Sequence, residues 1–256
     1  MGKRVGILDE VRGLAVISMV IYHLYFDLRY FYGLDMGGLT DTVMHAWQPF
    51  IAGTFIVVSG ISSRYSSNNI RRGALTLMVA MCFTFATAFV TPSAPITFGI
   101  LHLLGTCMAL YGFIGKWIER LPSVVGMILF SLLFVFTRGI PDRTIRAFGI
   151  EGLFSVKMPA APYNAELLFP LGFPSDGYAA MDYFPLLPYF FLFLAGAALG
   201  ALFQSGKIPK GFYMVRFSAL AWIGRHALLL YILHQPVLVA VQEIVFKLIG
   251  RRTMFL

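Results

Sequence analysis

LDEVRGLAVISMVIYHLYFD, residues 8–27, decides how the chain is read. Arg12 and His23 sit in one apolar run with ten residues between them. Eleven helical steps are almost three turns, so both side chains share a face, separated by roughly 16 Å along the axis. Asp27 follows one turn later, close to the same face. Ionisable groups are costly in hydrocarbon, so a stripe of Arg, His and Asp in a membrane helix marks a functional face turned into a bundle.

Composition supports a membrane setting. The chain has 256 residues, 58% of them hydrophobic and 12% charged, with mean hydropathy +0.77. A soluble domain could not hide that much apolar surface. Continuous apolar runs, without alternating ten-residue segments, exclude a transmembrane barrel. The expected fold is all-α: a polytopic transmembrane bundle forming a single domain over 1–256. Seven candidate spans run over about 9–29, 46–63, 73–91, 97–116, 122–137, 183–204 and 219–249, each near the roughly 20 residues a crossing needs except the short fifth and the long last. The last is long and reads as a short helix followed by the true span from about Ala227. Pro236 inside it predicts a kink or a locally opened turn. Asp9, Glu10 and Arg12 lead straight into the first run, which argues against a cleaved signal. Cys82 and Cys107 lie in apolar segments and read as core residues without a disulfide.

Lys and Arg set the expected orientation. Twelve fall on the side of the N-terminus and eight on the other. The bias predicts a cytoplasmic N-terminus and an outer C-terminus. The net charge of +8 fits basic loops beside anionic lipid, and its scatter among apolar segments is a poor basis for nucleic-acid binding. The one long connection, about 138–182, is rich in Pro yet keeps its Leu, Phe and Tyr. It is expected to be ordered and to pack over the outer mouth of the bundle.

Three of the five histidines, His23, His102 and His234, fall within expected membrane depth. A neutral imidazole is suited to general-base work, and a carboxylate one turn away, Asp27, could orient it. His45 and Asp182 stand at the expected outer surface as candidate acceptor contacts, with Gln235 beside His234. Asp182 could equally cap a helix start. On the inner side Arg12, Asn69, Arg71, Arg72 and Arg225 could hold phosphates, since guanidinium binds them bidentately; positive-inside bias alone would also place arginines there. Gly53, Ser59, Gly60, Ser62, Gly196 and Gly200 predict close helix contacts.

These residues resemble the opening of membrane-integral acyltransferases, in which Arg, ten residues and His mark the acyltransferase-3-like group. The closer resemblance is to bacterial members of the heparan-α-glucosaminide N-acetyltransferase catalytic-domain family. It extends to QPFIAGTFIVVSGIS at 48–62, FGILHLLG at 98–105, DYFPLLPYFFLFLAGAALG at 182–200 and IGRHALLLYILHQPVL at 223–238. The resemblance implies acetyl-CoA or another acyl-CoA as donor on the cytosolic side. It implies a glycan or small polar acceptor on the outer side of a bacterial cytoplasmic membrane, with neither metal nor haem. His23 would be the base or acyl-handling residue, Arg12 would help hold the donor, and His102 and His234 would line the same channel. The lysosomal branch carries Asn in place of His23, with its catalytic His in the following outer loop, where this chain offers only His45. The compact length is compatible with a homodimer among membrane lipids. Alternative readings are a transporter or flippase, a carrier with haem between two histidines, or a structural subunit.

Overall fold

The computed structural model describes residues 5–35, 41–146 and 155–250. Eight helices carry the fold among them: α1 (Gly6–Tyr30), α2 (Asp41–Ser63), α3 (Asn69–Val90), α4 (Ile100–Ile118), α5 (Ser123–Thr137), α6 (Leu186–Gln204), α7 (Ser218–Arg225) and α8 (Ala227–Leu248). Two short strands, β1 (Thr144–Arg146) and β2 (Ser155–Lys157), form an antiparallel pair in the long connection. Among the described residues, six helices are long and apolar enough to cross a membrane. The second expected span, about 46–63, falls on α2, which has the length but carries His45, Gln48 and Pro49 in its first half. The expected polytopic helical architecture therefore holds. The anticipated split of the last segment is also present, as α7 and α8. Pro236 lies inside α8, and the helix runs on through it.

Exposure follows the logic of lipid as solvent. Leu75, Met78, Met81, Phe85 and Phe89 are all more than half exposed along α3. Their spacing of three and four residues makes one apolar stripe. In water such a stripe would be a liability; against acyl chains it is the expected surface. Cys82 sits on the exposed part of α3, which corrects its expected place in the core, whereas Cys107 is buried.

The chain divides into two compact units. One joins the residues up to Phe55 with those from Ile208 onward; the other is Ile56–Lys207. In the first, α1 packs closely on α7 and then on α8. Gly13 and Gly224 allow it: a Cβ on Gly13 would run into the Leu220 carbonyl oxygen, and one on Gly224 would run into the Asp9 carbonyl oxygen. Val16, Met19 and Ile51 form the centre, wrapped by Tyr22, Trp47, Phe55, Leu230 and Tyr231. Trp47 Nε1–H donates to Ser18 Oγ at 2.7 Å, which meets the indole's need for a partner when buried.

In the second unit α3 pairs with α4 and α5 with α6. The small residues predicted to mediate contact meet one another's helices here. A Cβ on Gly60 would strike the Phe193 carbonyl oxygen, and one on Gly196 would strike that of Val57. Tyr163 is 1% exposed and donates to the Ile140 carbonyl at 2.5 Å. The end of the long connection after α5 is bonded to the turn between α3 and α4. Met181 N–H donates to Ala94 O, Phe184 N–H donates to Phe98 O, and the Tyr178 and Thr97 hydroxyls meet at 2.6 Å.

Candidate active site

The histidines predicted on α1 and α8 come together. The rings of His23 and His234 stand edge to face with centroids 4.7 Å apart. Each is fixed through Nδ1 to its own helix: His23 to the Met19 carbonyl at 2.9 Å, and His234 to the Tyr231 carbonyl at 2.6 Å. A carbonyl oxygen only accepts, so each neutral ring must carry its proton on Nδ1. Each Nε2 is therefore left with its lone pair, the form a general base requires. Among the described residues, the buried His234 Nε2 has no hydrogen-bond partner. Rings in edge-to-face contact leave no space for a macrocycle between these two histidines.

Asp27 takes a different partner from the one expected. It is fully buried, and both carboxylate oxygens accept from Gln235 Nε2 at 3.0 Å. The backbone, not Asp27, orients His23. The reason lies in α8: Gln235 reaches across to α1 one position after His234, while Met19 O stands a turn behind the imidazole on its own helix. Gln242, seven residues beyond Gln235, is also buried and falls on the same helix face.

Arg12 is half-buried, and its Nη1 donates to Asp9 Oδ1 at 3.0 Å. Arg225 closes α7 and is exposed, as is His45 on α2. Glu10 is a residue that the sequence reading passed over. It is 8% exposed; its Oε1 accepts from the backbone N–H of Phe217 at 2.7 Å and from that of Arg216. It thereby satisfies orphan donors at the start of α7, where a helix leaves its first N–H groups unpaired. A carboxylate leading directly into an apolar run was the available signal.

The remaining predicted residues belong to the second unit and are held there by local bonds. His102 Nδ1 accepts from Gly99 N–H at 3.2 Å, so its proton is on Nε2, which meets Thr84 Oγ1 at 3.0 Å. Thr84 in turn donates to the Ile96 carbonyl at 2.7 Å. Both nitrogens of His102 are thus engaged in closing the α3–α4 turn. Asp182 Oδ2 accepts from Ile100 N–H at 3.0 Å, capping α4 and not the α6 helix that follows it. Burial pushes its carboxyl up to about 6, against the pull of that hydrogen bond. Asn69 Nδ2 donates to the Ser63 carbonyl at 2.8 Å, while Asn68 caps α3 through Arg71 N–H at 2.9 Å. Arg71 and Arg72 are exposed at the head of that helix.

Apolar membrane-length helices carry a close histidine pair between α1 and α8 and arginines at helix ends. The chain belongs to the family described as heparan-alpha-glucosaminide N-acetyltransferase, catalytic, whose model matches residues 4–236. The match spans α1 to Pro236 of α8 and so includes both histidines, Asp27 and Gln235. No curated protein and no solved structure is detectably similar.

Proposed function

We propose that the protein transfers an acetyl group from cytosolic acetyl-CoA to an amino sugar or similar polar acceptor presented at the outer face. The observation that carries this reading is the His23–His234 pair, with both rings anchored at Nδ1 and both Nε2 lone pairs available. The family supports the donor and the class of acceptor in general.

His23 is the base. Its Nε2 takes a proton from the acceptor amine or hydroxyl as that atom attacks the thioester carbonyl. The new C–N or C–O bond forms, the C–S bond breaks, and the departing thiolate recovers the proton from the imidazolium. His234 stands against His23 and keeps one flank of the ring away from lipid. The alternative order, in which His23 first carries the acetyl group, uses the same residues and gives the same products. Arg12 lies roughly 16 Å along α1 from His23, and with Arg225 it offers guanidinium groups to the donor's phosphates. Arg71, Arg72 and Asn69 supply a second polar cluster of that kind. The excess of Lys and Arg supports a cytoplasmic N-terminus.

The test is acetyl transfer to glucosamine by the purified protein in nanodiscs, with acetyl-CoA as donor. His23→Ala is expected to abolish product while leaving the unfolding temperature near wild type. Turnover surviving in that variant assigns the base elsewhere.

A further inference from the structure

Among the described residues, two buried acceptors on neighbouring positions of α8 have no hydrogen-bond partner: His234 Nε2 and Gln235 Oε1. Both residues face α1, His234 through the ring of His23 and Gln235 through Asp27. His23 and Asp27 are one helical turn apart. Both residues therefore meet the same stretch of α1.

An amide can present either end, and here Asp27 decides which. A carboxylate only accepts, so the Gln235 NH2 group must point at it. The amide oxygen is then turned away and is left as an obligate acceptor. Leaving such an atom buried and unmatched is unfavourable, and an incoming N–H or O–H relieves it. We propose that Asp27 is a positioning residue: it locks the Gln235 amide so that Oε1 receives a hydrogen from the acceptor substrate beside the histidine pair. Asp27 itself touches neither substrate nor base. The inference rests on the acyl-transfer reading for the identity of the entering molecule.

The chemistry predicts the behaviour of an inverted pair. In Asp27→Asn the lock is lost: the new amide can donate to Gln235 Oε1 or accept from its NH2, so Oε1 is no longer held toward the substrate. In the double variant Asp27→Asn/Gln235→Glu, the amide introduced on α1 donates to one oxygen of the carboxylate introduced on α8. The other carboxylate oxygen again faces the substrate as an acceptor.

The experiment measures glucosamine binding to the full-length protein in nanodiscs by calorimetry without acetyl-CoA, and then the KM of each substrate during transfer. Asp27→Asn is expected to weaken glucosamine about tenfold, the value of roughly one hydrogen bond, with the KM for acetyl-CoA unchanged. The double variant is expected to return within about threefold of wild type. Gln235→Met, which removes the oxygen at similar volume, should weaken glucosamine alone. Failure of wild type to bind glucosamine, wild-type affinity in Gln235→Met, or a folded double variant that does not recover overturns the proposal. An equal rise in both KM values also overturns it, because a merely structural pair would act that way. Glucosamine binding with the predicted variant pattern but no acetyl transfer would reject the acyl-transfer reading and leave this one standing.

Discussion

At His23 and His234 a backbone carbonyl selects the tautomer, and the tautomer selects the chemistry. His102 shows the opposite case: its Nδ1 is the acceptor and its Nε2 the donor, with both occupied. His102→Ala should therefore lower stability by about 1–3 kcal/mol, because it strands Gly99 N–H. Thermal unfolding in nanodiscs checks this. Asp182 carries a pH dependence. Its folded value of about 6 lies above its ordinary 3.8, so the fold binds the proton more tightly than the unfolded chain does. Its contribution is full below about pH 4 and is lost as pH rises through about 6. Asp182→Asn keeps an acceptor for Ile100 N–H and should flatten the unfolding temperature across that window. The His23 face was legible because helical spacing is set by local geometry. The partner of Asp27 was not, since Gln235 lies 208 residues along the chain and no local pattern announces it.

The helices themselves were legible from apolar length, and their ends less so. α3 starts at Asn69, before its expected span, because the Asn68 side chain caps Arg71 N–H and lets the helix begin in polar sequence. The small residues of α2 and α6 announced close packing, but not that Gly60 and Gly196 would meet one another's helices. Gly13 and Gly224 were missed, because a glycine inside R-G-L-A or I-G-R looks ordinary until a second helix arrives. A methyl on Gly224 would overlap the Asp9 carbonyl oxygen and cannot be accommodated without parting α7 from α1. Gly224→Ala should cost about 1–3 kcal/mol or more, seen as a lower unfolding temperature and lower yield. Leu75→Ala, on the exposed stripe of α3, should leave both close to wild type.

Across the whole molecule, the composition declared a membrane protein and the order of motifs declared the family, because both are read along the chain. The arrangement of contacts is not linear and stayed hidden: the first unit is assembled from both ends, with Ile56–Lys207 placed between them in sequence. A donor that binds only the folded state raises apparent stability by about 2.7 kcal/mol at a hundredfold excess over Kd. Acetyl-CoA should therefore raise the unfolding temperature of the wild type and of His23→Ala alike, since the imidazole is asked to move a proton and not to hold the nucleotide.

The split first unit sets a problem of timing during synthesis. α1 leaves the ribosome first, yet the backbone that satisfies Glu10 lies 207 residues later at Phe217, and the amide that satisfies Asp27 lies 208 residues later. Until then Glu10 and Asp27 lack these partners and are poorly suited to lipid. α1 is therefore expected to stay at the insertion machinery, or in a proteinaceous shelter, until α7 and α8 follow. Chains stopped before Arg216 should be recognised as orphans and degraded, however well their middle helices insert.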